Sequence, residues 1–261
     1  MIINKSEEFN FSSNVPENAS VERVLKPKEI TPAPRSVEVM KGIAMHIEEI
    51  DQLGQPIFDV LQELKESINK GDYGMVIGDD ASGRVPAMII QKVLKNIYQE
   101  KGFSPPEVRF VTGSKGAKDP EHKAKLLDEY LIKALPGTIE TDRRVLVVTD
   151  MIDSGRSIEP LVTALSKSGV KFDVVTVATV EDQLLDELSK KWGVKVVRGQ
   201  IGTPSIYKKP LISGYQKDPD ELHATPLPMD EREKEYFKLT RKDARNVAGW
   251  LTKYYKRYLS S

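Results

Sequence analysis

Residues 145–158 read VLVVTDMIDSGRSI and bring together Asp150, Asp153, Ser154, Gly155, Arg156 and Ser157. Val145, Leu146, Val147 and Val148 form an apolar run of strand length. The turn after them leads into a segment with helical spacing. A turn that opens a helix presents successive backbone N–H groups at the positive end of the helix dipole, which suits a phosphomonoester. Gly155 lets the backbone approach such a ligand, and Ser154 and Ser157 add hydroxyl donors. Asp150 and Asp153 flank the turn. Two carboxylates at the carboxyl end of an interior strand have little structural purpose unless something binds there. The alternative is a plain strand-to-helix connection, since similar turns serve many α/β units.

The stretch resembles the signature of the type I phosphoribosyltransferases, in which an apolar strand runs into two acidic residues and then an Asp-Thr/Ser-Gly-x-Thr/Ser loop. The resemblance implies that Asp153, Ser154, Gly155, Arg156 and Ser157 grip the 5-phosphate of phosphoribosyl pyrophosphate. It also implies that Asp150 contacts the ribose hydroxyls and meets magnesium (Mg2+) only indirectly, through that substrate. Thr149 departs from the pattern, standing where the first acidic residue belongs.

Three further loops follow from the same resemblance. Residues 79–84, Asp-Asp-Ala-Ser-Gly-Arg, take the place of the pyrophosphate loop, with Ser82 and Gly83 at the substrate and Arg84 forking onto the departing pyrophosphate. An ion pair of Arg84 with Asp79 or Asp80 is the alternative, and the two aspartates either help hold magnesium or are solvated. Residues 112–122 take the place of a mobile lid, with Lys115 and Lys118 meeting pyrophosphate on closure; the alternative is an ordinary solvated loop. His122 there either protonates a leaving group or faces solvent. Residues 202–215 take the place of the hood that receives the acceptor. They faintly resemble a segment of the hypoxanthine-guanine enzymes, and Tyr207 either stacks on a heterocycle or packs against the body.

These loops need a scaffold to hold them. From residue 71 to 200, strand and helix patterns alternate: strands at 75–78, 107–112, 145–148, 172–179 and 194–198, and helices at 86–99, around 126–135, 157–168 and 181–192. The alternation predicts an α/β fold, an open parallel sheet with helices on both faces, and ligands beyond the carboxyl ends of its strands. Around this core the sequence divides into a Pro-punctuated arm at 1–35, a helical pair at 36–70 and a final part at 201–261. The helical pair carries Val37, Met40, Ala44 and Ile47, then Ile57, Val60, Leu61, Leu64 and Ile68. The final part is an irregular lobe followed by a long helix. The helical pair, the lobe or both furnish the hood.

Composition narrows the function. Acidic and basic residues balance at 39 each, so no net field recruits nucleic acid or membrane. Tyr254–Tyr258, YYKRY, reads as the apolar face and basic end of a helix rather than a nucleic-acid stripe. The chain has no cysteine, no run of membrane-spanning length and no apolar leader, which predicts a soluble cytoplasmic protein without disulfides. The expected function is a magnesium-dependent phosphoribosyltransferase, a transferase passing the ribose 5-phosphate of phosphoribosyl pyrophosphate to a nitrogen acceptor such as a nucleobase. The alternative, motivated by Thr149, is a non-catalytic sensor of that substrate or of a nucleotide. The resemblance also implies a homodimer.

Overall fold

The computed structural model describes residues 45–113 and 116–259. The arm at 1–35, the helical positions Val37, Met40 and Ala44, and Lys115 lie outside the described residues.

Five parallel strands form the centre: β1 (Tyr73–Asp79), β2 (Glu107–Val111), β3 (Arg144–Ile152), β4 (Phe172–Thr179) and β5 (Val196–Ile201), in the order β2-β1-β3-β4-β5. β3 and β4 are buried along nearly their whole length. They read as continuous aliphatic runs rather than alternating ones because helices cover both faces.

On one face Met75, Ile77, Val145, Val147 and Val174 meet the leucines of α5 (Pro120–Ala134), α7 (Glu159–Ser168) and α8 (Asp182–Trp192). The other face is covered by α2 (Gly54–Glu63) against β4 and β5 and by α4 (Arg84–Lys101) against β1 and β3. Outside these lies α10 (Glu231–Tyr258), the long terminal helix, packed across both. Asp230 starts α10 with a reciprocal cap, its side chain accepting from the Glu233 amide while the Glu233 carboxylate accepts from the Asp230 amide.

The element pattern matches the expectation with several shifts of boundary. The second helix of the 36–70 pair breaks at Leu64 into α2 and α3 (Lys65–Lys70), which ends at Gly71. Ile47 precedes the short α1 (Glu48–Asp51). α7 begins at Glu159 rather than 157, because the signature turn occupies the residues before it. β3 runs on to Ile152, past the expected end at 148, since Thr149, Met151 and Ile152 stay in register with Thr176, Ala178 and Thr179 of β4. Asp150 is therefore a strand residue with a fixed direction. After β5, residues 202–229 hold only α9 (Pro210–Ser213) and a two-stranded ribbon of β6 (Tyr215–Gln216) and β7 (Thr225–Pro226), the irregular lobe that the Pro and Gly content predicts. Between α5 and β3 stands α6 (Pro136–Glu140). Among the described residues no helix is long and apolar enough to cross a membrane.

In α10, Ala244, Val247, Leu251, Tyr254 and Tyr255 are buried while Lys256, Arg257 and Tyr258 are exposed, so YYKRY combines the inner apolar face with an exposed basic end.

Candidate functional site

The carboxyl ends of β1 and β3 place three carboxylates below the lobe. Asp79 ends β1 and is 1% exposed; Asp80 follows it at 0%; Asp150 on β3 is 5% exposed. Carboxylates at that depth persist only with partners. Lys217 Nζ lies 2.8 and 2.9 Å from the two Asp79 oxygens, and the Gly113 amide donates to the same side chain at 3.3 Å. Asp80 accepts from Arg84 at 2.7–2.8 Å, from the Ala81 amide at 2.8 Å and from the Ala224 amide at 2.7 Å. The solvated reading of Asp79 and Asp80 is thus overturned: the fold buries both and supplies each with a cation.

Arg84 makes the ion pair that stood as the alternative to pyrophosphate binding. Its guanidinium is also layered between Tyr215, 3.5 Å from the ring centre, and Phe110, 4.3 Å away. It positions the loop through Asp80. Ala81 sits at φ 67°, a left-handed conformation costing an alanine about 1–2 kcal/mol, and its amide is held by the Asp80 carboxylate.

Asp150 has no formal counter-charge of its own. It accepts from the Met151 amide at 2.8 Å, and Thr149 Oγ1 stands 3.5 Å away. Burial, and then the neighbouring Asp79 charge, push its carboxyl up to about 6, against the opposing pull of a Ser82 hydrogen bond, the Met151 amide and Lys217. A folded pKa of about 6 against an ordinary 3.8 means that the folded chain binds more protons between those values. Stability therefore falls as pH rises through that window, by roughly 3 kcal/mol once pH exceeds 6. Asp150→Asn removes the penalty, so its urea midpoint should exceed that of the parent at pH 7.5 by the equivalent of about 2–3 kcal/mol, with the gap closing near pH 3.5. A gap that does not change with pH would contradict the assignment.

Beside Asp150 a cavity of about 210 Å³ opens between Ala81, Ser82 and Val85 on one side and the lobe on the other, where Ile206, Ile212, Tyr215 and Lys217 form the wall. Tyr207 is not among its lining residues; the aromatic ring facing the cavity is that of Tyr215. Lys209, on the cavity rim, is paired with Glu49 of α1 at 2.7 Å, so the helical pair props the lobe.

The signature turn follows directly from the end of β3. Asp153, Ser154, Arg156 and Ser157 are exposed; Gly155 is buried at φ 72°. A Cβ at Gly155 would sit within 3.0–3.1 Å of Leu188 and Trp192 of α8, so glycine is required by both conformation and space. The Ile158 and Glu159 amides fold back onto the Gly155 carbonyl at 3.3 and 3.1 Å. The amides of residues 154–157 have no acceptor among the described residues, leaving a ring of donors at the start of α7. A second cavity of about 410 Å³ joins this turn, through Arg156, Glu159 and Pro160, to Gly116, Ala117 and Lys123 near the lid position. Lys123 is buried against the Glu221 carbonyl, and burial pulls its pKa down.

Residues 217–224 close the site as a strap. Besides Lys217 and Ala224, the Leu222 carbonyl accepts from the Thr112 amide at 2.8 Å, and His223 Nδ1 lies 2.7 Å from the Phe110 carbonyl. Lys118 joins it: its amide donates to Asp220 at 2.6 Å. His122 is exposed, its amide capping α5 through Asp119.

Among the described residues no three His, Asp or Glu side chains are grouped to hold a metal ion. Lys217 and Arg84 occupy Asp79 and Asp80, so the donor set does not fit a resident magnesium. Asp150 remains as the one carboxylate on the cavity wall.

The arrangement defines an α/β protein with an open five-stranded parallel sheet, a phosphate-sized turn after the central strand and a lobe over the strand ends. A scan against protein-family models matches none, and a search of curated proteins likewise gives no match. Among solved structures the chain is similar to a purine phosphoribosyltransferase from Pyrococcus horikoshii Ot3, at 20% identity over 51% of this chain and 74% of that one, with a TM-score of 0.29.

Proposed function

We propose that the chain is a phosphoribosyltransferase that binds phosphoribosyl pyrophosphate across the carboxyl ends of β1 and β3. The observation that carries this reading is the pairing of four turn amides at 154–157, unbonded among the described residues, with a buried carboxyl, Asp150, near the end of the same strand and facing a cavity. The 5-phosphate takes the turn amides with the Ser154 and Ser157 hydroxyls. The ribose hydroxyls lie at Asp150, and the pyrophosphate lies along Ser82 and the loop amides. Arg84 serves here as a positioning residue, because its guanidinium already holds Asp80. Lys115 of the lid is proposed to meet the pyrophosphate.

A nitrogen lone pair of the acceptor forms the new bond to the anomeric carbon as the carbon–oxygen bond to pyrophosphate breaks, the electron pair leaving with the pyrophosphate. The chain positions the reactants and stabilises the departing charge. Magnesium enters with the substrate as the counter-ion of the pyrophosphate. The acceptor, a nucleobase or similar heterocycle, occupies the cavity against Tyr215.

Thr149 favours a second reading, a sensor that binds the same substrate without turnover. It is buried beside Asp150 and supplies one hydroxyl where a second carboxylate would strengthen the hold on ribose.

Calorimetric titration of phosphoribosyl pyrophosphate with and without magnesium tests both readings. Saturable binding is expected, with affinity at least tenfold weaker in Ser154→Ala/Ser157→Ala. The fluorescence of Trp192, packed under Gly155, reports the same event. Absence of binding to the intact chain would overturn both readings. Binding without pyrophosphate release across a panel of bases would select the sensor.

A further inference from the structure

Among the described residues, Arg241 is a partly buried cation outside the site that makes no ion pair. Arg241 projects from α10 toward α4, where its Nη1 lies 2.7 Å from Met88 Sδ and its guanidinium 4.7 Å over the Phe237 ring. Its Nε is buried and meets no acceptor among the described residues. A thioether is a weak acceptor and neutralises nothing. The charged and titratable groups around it are Arg84, Arg245 and the Tyr215 hydroxyl. Burial and the two arginines make its charged form harder to hold. Arg84 is paired with Asp80, while Arg245, one helical turn along α10, is exposed. Three guanidiniums thus share a single carboxylate.

A leucine or methionine would suit a position flanked by Met88 and Phe237 better than a partly desolvated cation without a partner. A group that weakens the resting fold in this way is characteristic of a binding site. We propose that Arg241, assisted by Arg245, binds a phosphoryl oxyanion on this face of α10, at a site separate from the turn at 153–158. The local excess of two positive charges suits a phosphate dianion, and a guanidinium edge offers it paired donors.

Occupancy reaches the cavity wall by contact. Phe237, beneath Arg241, packs against Gly214, and the next residue, Tyr215, both lines the cavity and stacks on Arg84. An anion that fixes Arg241 therefore steadies Phe237 and, through it, the wall against which the acceptor lies. Such a site acts as an effector site.

The test uses the full chain carrying Ser154→Ala/Ser157→Ala, which weakens phosphate binding at the signature turn, so the comparison with and without Arg241→Met reads the second site whether or not phosphoribosyl pyrophosphate is a substrate. Inorganic phosphate and ribose 5-phosphate are titrated by calorimetry and by thermal melting. One saturable phosphate site is expected, weakened at least tenfold by Arg241→Met and less by Arg245→Gln. Arg241→Met should also melt higher than its parent without ligand, which a packing role would not produce. Equal affinity for the two probes would identify free phosphate as sufficient, and tighter binding of the ester would identify a phosphorylated metabolite; both support the site. No saturable phosphate binding, phosphate affinity unaltered by Arg241→Met, or a lower ligand-free melting temperature in that variant would overturn it.

Discussion

Gly83→Ala should lose at least about 3–4 kcal/mol of stability, because the added methyl group would meet only backbone. Gly83 has an ordinary φ of −79°, so the cost is one of space rather than conformation. An ideal Cβ there would lie inside the contact distance of the Val148 carbonyl oxygen and 2.9 Å from both the amide nitrogen and the carbonyl oxygen of Asp79. These atoms belong to β1 and β3, whose parallel pairing, Gly78 opposite Val148, forms the middle of the sheet. They give way only if the strands separate or the loop at 79–84 lifts, and interiors at crystal-like density have no slack for either. The loss corresponds to a melting temperature lower by roughly 8–15 °C for a chain of this size. Gly249→Ala, in α10 with nothing within 4 Å of the new methyl, serves as the control and should be neutral or slightly stabilising. A Gly83→Ala chain that melts with its parent would show that the loop rides free of the strands. On the proposed function, a Gly83→Ala chain that remains folded should still bind phosphoribosyl pyrophosphate, since the turn at 153–158 follows β3 and not β1.

The same loop shows what the sequence could and could not disclose. Strand runs such as 172–179 and helix stripes such as Ile89, Val93 and Ile97 are local patterns, and burial on both faces of a parallel sheet makes them legible. The turn at 153–158 is equally legible as a strand-to-helix turn, since consecutive residues form it. The carboxyl-end cluster was only half visible. Asp79, Asp80, Arg84 and Asp150 belong to the readable loops, yet Asp79 meets its cation from 138 residues away and Asp80 meets an amide from 144 residues away. Lys217, Leu222, His223 and Ala224 lie in a lobe with no period, where no spacing announces that the segment crosses the strand ends. Tyr207 is the aromatic that loop composition points to, whereas Tyr215 reaches the cavity because α9 ends at Gly214 and turns the chain inward. A signal was available for Lys217: two adjacent aspartates at the end of an interior strand require cations, and only one arginine stood nearby. Arg241 had no signal, because a basic residue in a charged terminal helix is ordinarily solvated; its burial comes from the crossing of α10 over α4.

Lys217→Met should cost about 3–5 kcal/mol at pH 7.5, the loss that follows when a buried charge is stripped of its partner. The ammonium sits symmetrically on the two oxygens of Asp79, a carboxylate with almost no contact with water, and also tempers the charge on Asp150 beside it. Without it, the buried Asp79 carboxylate has no cation and Asp150 beside it feels the full Asp79 charge, so that the folded chain is driven to take up a proton. Proton uptake on folding makes stability fall with rising pH, so the cost should shrink steadily as pH is lowered toward 4. Asp79→Asn placed in the Lys217→Met background should restore most of the loss, since it removes the stranded charge while keeping the shape and an acceptor for the Gly113 amide. The coupling energy from the double-mutant cycle, read by urea unfolding at pH 7.5, should therefore be several kcal/mol and of opposite sign to the single-variant losses. Simple additivity would mean that Lys217 acts as a tether for the strap at 217–224 and not as the counter-ion of the site. If the proposed phosphoribosyl pyrophosphate site holds, Lys217→Met should still bind the 5-phosphate at the turn, because no turn residue touches the strap through Lys217. Binding of the ribose should instead become strongly pH-dependent, as the protonation of Asp150 comes to decide whether it accepts the hydroxyls.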